Sequence, residues 1–155
     1  ESQISIREVY SPEMEETGKD VIRVKEKCEI PVMDGKITIF PGDFPEDPQE
    51  NGLCVLFETE NCAILITGDR SELGEVQLLE SYVLPKVDLL VAGHHGSKYS
   101  TSQRLLEAVQ PDQVWISAGM DNGYGHPAQE LLDRLAAYGC RIYRTDLQGT
   151  LIFRR

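Results

Sequence analysis

The stretch Ala92-Gly93-His94-His95-Gly96-Ser97 contains two of the three histidines of the chain and directly follows the apolar run 87–91. An apolar run of this length, bounded by Pro85 and Gly96, predicts a strand that is buried on both faces of a sheet. In open α/β sheets, ligands bind beyond the carboxyl ends of the strands. We therefore expect His94 and His95 to lie at the mouth of a site and not in the core.

Strand patterns precede this stretch. Alternating Ile4 and Ile6 predict a short strand, and β-branched or apolar runs predict further strands within 33–40, 53–57 and 62–67. The last two are close enough to form a hairpin. The segment 41–52, which is rich in Pro, Gly, Asp and Glu, is expected to be an exposed loop beside a cleft.

Helix and strand patterns alternate in the second half of the chain. Apolar periodicity predicts three helices, whose buried positions are Leu73, Val76, Leu79 and Val83, then Leu105, Leu106 and Val109, then Leu131, Leu132, Leu135 and Tyr138. A capping box at 100–103 would open the second helix, and Pro127 would take the first position of the third, which Gly139 ends. Strands are predicted at 114–117, 141–144 and 150–153, with a turn at 146–149. The alternation indicates an α/β fold.

Length and composition indicate one soluble globular unit. The 155 residues are 41% hydrophobic and 26% charged, and no apolar run approaches the roughly 18 residues of a membrane span. The formal charge of -11 is concentrated in residues 1–80, which carry 19 acidic and 7 basic side chains. Such a surface repels phosphate backbones at long range, so a polyanionic substrate would need metal ions or another domain to supply positive charge.

Several common sites are absent from the sequence. The four cysteines, Cys28, Cys54, Cys62 and Cys140, form no C-x-x-C pair, which indicates buried free thiols and not a zinc finger. No Gly-Lys-Ser or Gly-Lys-Thr phosphate loop and no G-x-S-x-G elbow is present. We therefore expect no nucleotide cofactor and no serine nucleophile.

Polar groups follow three predicted strands: Asp69, the pair His94 and His95, and His126. Imidazole nitrogen and carboxylate oxygen together are the ligands that zinc and similar divalent ions prefer. Simple alternatives exist, since Asp69 has the spacing of a helix cap and His126 would adjoin the start of a helix. Adjacent side chains point in opposite directions on an extended chain, so one histidine of the pair would bind metal while the other orients it or carries a proton.

The combination of these motifs supports a family assignment. The strings Thr67-Gly68-Asp69, His94-His95-Gly96-Ser97 and Gly125-His126-Pro127, in this order, with 143–146 near the end, resemble the metallo-β-lactamase-like domain of the ComEC-type DNA-internalisation competence proteins. The resemblance runs from about Lys36 to the carboxyl end. It implies an αββα sandwich with a site for one or two metal ions, zinc or manganese, at one edge.

The resemblance also implies roles for residues. Asp69, His94 and His126 would bind metal, while His95 and Lys98 would be catalytic, Lys98 by offsetting phosphate charge. The intact domain would be a phosphodiesterase that degrades one DNA strand while the other enters through a membrane channel of the parent protein. The domain would then belong to a plasma-membrane protein and lie outside the cytoplasm; a soluble cytoplasmic relative is the alternative.

One departure from the family pattern is large. Domains of this kind begin with an H-x-H-x-D-H motif, whereas this chain has no histidine before His94. Residues 1–155 are therefore expected to form the carboxyl-terminal portion of the domain, inactive alone, with uncovered apolar faces that favour a homodimer. Two other functions stay open: metal-dependent hydrolysis of a small ester, thioester or lactam, and a non-catalytic interaction module.

Overall fold

The computed structural model describes residues 9–12 and 21–154. Seven strands form one sheet in chain order, and a separate parallel pair precedes it. The pair is β1 (Val9–Ser11) and β2 (Val21–Arg23), and the sheet consists of β3 (Cys28–Val32), β4 (Gly35–Phe40), β5 (Cys54–Thr59), β6 (Ala63–Ile66), β7 (Leu89–Val91), β8 (Gln113–Ile116) and β9 (Arg141–Arg144). The helices are α1 (Glu72–Ser81), α2 (Gln103–Val109), α3 (Gln129–Tyr138) and the single turn α4 (Thr145–Gln148).

The pairing of the strands changes from antiparallel to parallel at β6. Strands β3 to β6 are antiparallel neighbours: short turns join β3 to β4 and β5 to β6, the latter as the hairpin pattern predicted, and the loop 41–53 joins β4 to β5. Strands β6 to β9 are parallel, with helices in their crossovers. The carboxyl ends of the parallel strands therefore meet at one edge, which is where the polar groups that follow β6, β7 and β8 lie.

One face of the sheet carries the helices and holds the core. Leu65, Leu90 and Val114 lie side by side in adjacent strands and have no exposed surface. They belong to one apolar cluster with the helix residues Leu78, Leu105, Leu106, Leu131 and Leu135. Burial of each such side chain contributes roughly 1.5–3 kcal/mol to folding. The predicted buried strand at 87–91 is confirmed in β7, since Leu89 and Leu90 are both buried.

The opposite face is also apolar but only half-buried. Phe57, Ile64, Val91, Trp115 and Tyr143 lie on this face and have intermediate exposure. Trp115 packs edge-on against Tyr143 and Phe153, with ring centroids 6.1 and 6.0 Å apart. The sheet thus has a second apolar surface, as expected for one sheet of a two-sheet sandwich.

Helix α1 buries a different face from the one predicted. Leu73 is 58% exposed and Val83, which lies beyond the end of the helix, is fully exposed. Gly74, Glu75 and Leu78 are buried instead. The apolar periodicity predicted the wrong face of α1, because the buried carboxylate of Glu75 occupies a position that a sequence pattern assigns to the solvent-exposed face.

The helix caps also differ from those predicted. Ser71 caps α1 by accepting from the Leu73 amide, so Asp69 does not cap this helix. Ser102, not Ser100, caps α2 by accepting from the Leu105 amide.

Helix α3 starts at Gln129, two residues after Pro127, so His126 does not adjoin its first turn. The predicted end of α3 at Gly139 is confirmed, since Gly139 adopts the left-handed conformation there.

The two ends of the chain bring further corrections. Residues 150–153 are not a strand, and 145–148 form a helical turn in place of the predicted loop. The Gln148 side chain accepts from the Arg144 amide at 2.7 Å, which closes this helical turn onto the end of β9. At the other end, β1 and β2 are short strands, and Ile4 and Ile6, where a strand was predicted, lie outside the described residues.

The prediction that the four cysteines are buried holds only for Cys54, because Cys28, Cys62 and Cys140 have intermediate exposure. Burial raises the pKa of the Cys54 thiol to about 12. This thiol is therefore inert near neutral pH.

None of the helices within 9–12 and 21–154 is long and apolar enough to cross a membrane.

Buried charges connect the helices to the loops at the carboxyl edge. The Glu75 carboxylate, which has no exposed surface, accepts from the amides of Thr101 and Ser102. The Glu50 carboxylate, 5% exposed, accepts from the amides of Ser71 and Gly74 at the start of α1. Because an unpaired buried amide is costly, these carboxylates hold the loops in place.

The first prediction concerns the contribution of Glu75 to stability. Glu75→Ala leaves the buried amides of Thr101 and Ser102 without an acceptor, and we expect a loss of about 3 kcal/mol in the free energy of unfolding, measured by urea denaturation. Glu80→Ala in the same helix is the control, because Glu80 is exposed and, among the described residues, forms an ion pair with Arg104 alone; its effect should stay within about 0.5 kcal/mol. Equal effects of the two substitutions would contradict the assignment.

The second prediction concerns pH. Burial raises the pKa of Glu75 above its ordinary value, and the amides of Ser102 and Thr101 offset this only in part. The folded chain therefore binds the Glu75 proton more tightly than the unfolded chain does. The stability that this group contributes is complete below the ordinary pKa of about 4.5 and is lost as the pH rises through the raised pKa.

Glu75→Gln removes this titrating group. The free energy of unfolding of the wild type minus that of the variant should decline as the pH rises from about 4 to about 8 in urea titrations. A difference that is constant or increases with pH would show that Glu75 is not destabilised by burial.

Candidate functional site

The two adjacent histidines lie in a tight turn, Gly93–Gly96, and not on an extended chain. His94 and His95 both have left-handed backbone angles, with φ of 47° and 55°. The His94 amide donates to the Gly68 carbonyl at 2.9 Å, and the Gly93 amide donates to the Thr101 hydroxyl at 3.0 Å. The unusual conformation is therefore held by contacts to the two neighbouring loops.

Gly93 allows these loops to approach each other. A Cβ atom at this position would lie 3.0 Å from the Ser100 Cβ and 3.1 Å from the Thr67 hydroxyl. Only a residue without a side chain fits here without displacing either neighbour.

The His95 ring points toward the loop that follows β8. Its Nδ1 atom lies 2.8 Å from the carbonyl oxygen of Ser117. A carbonyl oxygen can only accept, so the proton of neutral His95 is on Nδ1 and the lone pair is on Nε2. This is the arrangement of a metal-binding histidine that is oriented by a backbone carbonyl.

His126 lies beside His94. Their ring centroids are 5.6 Å apart with the rings nearly perpendicular, and Tyr124 stacks on the other side at 6.2 Å. The Nδ1 atom of His126 is buried and has no hydrogen-bond partner among the described residues. Burial, and then the nearby His94 and His95, lower the pKa of His126 and favour the neutral imidazole that a metal requires.

Asn122 holds the loop that carries His126. Its amide nitrogen donates to the carbonyls of Gly119 and His126, and its oxygen accepts from the His126 amide at 3.0 Å. The end of β8 is held in a similar way, because the Thr145 hydroxyl accepts from the Ala118 amide at 2.9 Å. These contacts from Asn122 and from Thr145, the first residue of α4, position the loop.

Gln49 is a site residue that the motif analysis did not identify. It lies in the loop 41–52, whose expected place beside a cleft is confirmed, and its Nε2 atom is 3.0 Å from both His94 Nδ1 and the Asp69 carbonyl oxygen. No motif marks Gln49, because its role depends on a contact across 45 residues of sequence. The Asp69 side chain itself is exposed.

A cleft of about 430 Å³ adjoins His94. It is lined by Gln49, Ser71, Glu72, His94, Lys98 and Tyr99. The Lys98 ammonium is 3.9 Å from the Glu130 carboxylate and 5.1 Å from the centre of the exposed Tyr99 ring. Arg134 donates to the carbonyls of Lys98, Ser100 and Thr101, which holds this wall of the cleft. A cation and an aromatic face therefore adjoin the imidazoles.

The structure assembles part of the expected site. His94 and His126 are in contact, His95 faces the next loop, and Lys98 lies in the cleft beside His94. Among residues 9–12 and 21–154, no group of three or more His, Cys, Asp or Glu side chains is arranged to hold a metal ion. The described residues thus supply an incomplete set of ligands.

The third prediction concerns Asn122. Asn122→Ala removes the acceptor of the His126 amide and two further hydrogen bonds, so we expect hydrogen exchange at the His126 amide to accelerate by about tenfold, as measured by NMR. Asn61→Ala, in the turn between β5 and β6, is the control and should leave this exchange rate unchanged. Unchanged exchange in the Asn122 variant would exclude this positioning role.

Comparison with known proteins places the chain in a family. No family model matches it. It is 33% identical over 141 residues, or 90% of its length, to ComE operon protein 3 of Bacillus subtilis. It is 42% identical over 94 residues to competence protein ComA of Neisseria gonorrhoeae and 36% identical over 95 residues to recombination protein 2 of Haemophilus influenzae. The matches cover 59% and 61% of the chain. The chain spans only 18%, 13% and 12% of the lengths of these three relatives.

Solved structures support the fold. The chain is similar to CmlA, a diiron beta-hydroxylase from Streptomyces venezuelae, with a TM-score of 0.59 and 15% identity over 88% of the chain and 38% of CmlA. A mutant of the same hydroxylase gives a TM-score of 0.58 at 13% identity. At such low identity the likeness concerns the fold alone, which is that of the metallo-β-lactamases. By sequence and by fold, the chain belongs to the ComEC-type competence proteins and corresponds to their metallo-β-lactamase-like domain.

Proposed function

We propose that this chain is the carboxyl-terminal portion of a metal-dependent phosphodiesterase domain that degrades one DNA strand during uptake. The single observation that carries this proposal is the pair His94 and His126, in contact beyond the ends of two parallel strands, with an unpaired buried nitrogen on His126. The family membership supports DNA as the substrate, because the relatives are competence proteins. The diiron content named for CmlA supports the use of metal on this fold.

The imidazole and carboxylate groups at this edge are of the ligand types that a divalent ion such as zinc or manganese takes, and within the described residues they form no complete group of three. The buried Nδ1 of His126 lacks a partner among the described residues, and the proton of His95 is directed to a carbonyl, which leaves its other nitrogen available. Asp69, His126 and one of the adjacent histidines would hold the ion at the end of the parallel strands. A bound ion would lower the pKa of a water ligand and offset charge on a phosphoryl oxygen.

The remaining residues of the site would bind the substrate. Lys98 lines the cleft beside His94, where its ammonium would attract a phosphate of the strand. The exposed ring of Tyr99 offers a face on which a base can stack. Gly93 and the contacts of Thr101 would keep these groups at fixed distances from the imidazoles.

Two other functions are favoured by particular observations. The charge of -11 suits a small ester, thioester or lactam better than a polyanion. The incomplete ligand set within the described residues favours a non-catalytic interaction module. Nuclease and thioesterase assays on the intact domain would separate the first alternative from the proposal, and tight stoichiometric zinc binding would count against the second.

The wider context is also part of the proposal. The parent protein would contain a membrane channel and carry this domain outside the cytoplasm; a soluble cytoplasmic protein is the alternative. The half-buried apolar face that includes Phe57, Ile64 and Trp115 would pack against the preceding part of the domain. In this chain alone, the same face would favour a homodimer.

The fourth prediction concerns metal content. We expect a chain extended through the preceding H-x-H-x-D-H part of the domain to retain one or two equivalents of zinc or manganese after dialysis, as measured by elemental analysis. The present chain should retain much less, because its ligand set is incomplete. A full equivalent in the present chain would show that its own residues suffice or that two chains share a site. Absence of metal from both chains would overturn the proposed metal dependence.

The fifth prediction concerns Asp69. Asp69→Ala in the intact domain should reduce metal-dependent cleavage of single-stranded DNA to the level of the buffer control, because the variant loses a metal-binding carboxylate. Asp133→Ala is the matched control, since Asp133 is exposed on α3 and contacts only Gln129 in the described residues. Unchanged turnover in the Asp69 variant would remove this residue from the site.

A further inference from the structure

Gln49 connects the two halves of the sheet at the candidate site. It lies in the loop between β4 and β5, while its partners His94 and Asp69 follow the parallel strands β7 and β6. Gln49 lies in a loop, and its backbone amide donates to the Asp47 carboxylate at 3.0 Å. The next residue, Glu50, is buried and holds the start of α1. The backbone at Gln49 is therefore fixed on both sides.

The side-chain amide of Gln49 has only one favourable orientation. Its Nε2 atom lies 3.0 Å from the Asp69 carbonyl oxygen, which can only accept. Rotating the amide by half a turn would place two oxygens in contact at this distance. The NH2 group must therefore also face His94, whose Nδ1 atom lies 3.0 Å away and acts as the acceptor.

This contact determines where the proton of His94 lies. Neutral imidazole carries one proton, so a ring whose Nδ1 accepts a hydrogen bond carries its proton on Nε2. Neither nitrogen of His94 then has a lone pair free for a metal. His95 has the opposite arrangement, because its Nδ1 donates to the Ser117 carbonyl at 2.8 Å and its Nε2 is free.

We propose that Gln49 is a positioning residue that divides the roles of the two adjacent histidines: it holds His94 as a hydrogen-bond donor through Nε2–H and leaves His95 as the metal ligand. His94 would donate to a phosphoryl oxygen of a substrate in the cleft that it shares with Lys98. This is a hydrogen bond without proton transfer, so His94 stays neutral. The assignment reverses the roles that the sequence motifs suggested for His94 and His95.

The choice of a phosphoryl oxygen as the acceptor rests on the proposed function, whereas the positions of the protons do not. The two parts can therefore be tested separately, first without metal or substrate and then with zinc alone.

The first experiment uses the ¹⁵N-labelled chain without metal, at about pH 8, where histidines are neutral. Long-range ¹H–¹⁵N correlation spectra separate protonated from unprotonated ring nitrogens. We expect His94 to carry its proton on Nε2 and His95 on Nδ1. A wild-type spectrum with the His94 proton on Nδ1 would overturn the proposal.

Two variants test the part played by Gln49. Gln49→Glu replaces the donor by an acceptor and should shift the His94 proton to Nδ1, while Gln49→Leu should leave a mixture of the two forms. Gln110→Glu, at the exposed carboxyl end of α2, is the matched control and should change neither histidine. A His94 spectrum that is the same in wild type and Gln49→Glu would show that another group sets the tautomer.

The second experiment adds zinc to the same samples. We expect the Nε2 signal of His95 to shift and that of His94 to retain its proton. His95→Ala should weaken zinc binding by at least about tenfold in calorimetric titrations, while His94→Ala should change it by less than about threefold. The reverse order of effects would overturn the division of roles. If this chain binds no zinc while the tautomers are as stated, the positioning role of Gln49 stands, and the two alanine variants are compared in the extended chain of the metal-content prediction, where absence of zinc would overturn the proposed metal dependence.

Discussion

The buried carboxylate of Glu75 is the contact on which the arrangement of the loops depends. It accepts from the amides of Thr101 and Ser102, and the Thr101 hydroxyl in turn accepts from the Gly93 amide. A continuous path of hydrogen bonds thus leads from the first turn of α1 to the turn that carries the histidines. Thr101 has a φ of 53°, which is costly for a β-branched residue and persists only because the neighbouring contacts require it.

A second buried charged group, Arg70, holds the loops on the antiparallel side of the sheet. Arg70 has no exposed surface and donates to the carbonyls of Gly52 and Phe40, which ties the loop before β5 to the loop after β6. Glu50, in the first of these loops, accepts from the amides at the start of α1. The antiparallel half of the sheet thereby contributes to a site whose motifs all lie in the parallel half, and Gln49 reaches His94 for this reason.

Membership in the competence-protein family agrees with the architecture of the sheet. The chain spans 18% of the length of ComE operon protein 3, so it represents a small share of such a protein. Its sheet has one face packed by helices and another that is apolar but half-buried. In a two-sheet sandwich such a face is covered by the other sheet.

The sequence by itself determined the order of the main elements, the buried strand before the histidines, the three strand ends that carry polar groups, and the family. These features depend on short-range patterns: apolar runs, turn residues and motifs of a few positions. It also indicated that the two histidines have different roles. It did not identify the buried face of α1, the caps at Ser71 and Ser102, or the helical turn at 145–148.

Only the tertiary structure decided how the site is held together. The local sequence predicts exposed polar positions at Glu75, Arg70 and Gln49. Each of these side chains nevertheless makes its main contacts with residues 18 to 45 positions away. The left-handed turn at His94 and His95, and the partner of each ring, follow from packing between loops that are distant in the chain. A local pattern cannot carry this information, because a hydrogen bond between distant segments exists only once the sheet has brought them together.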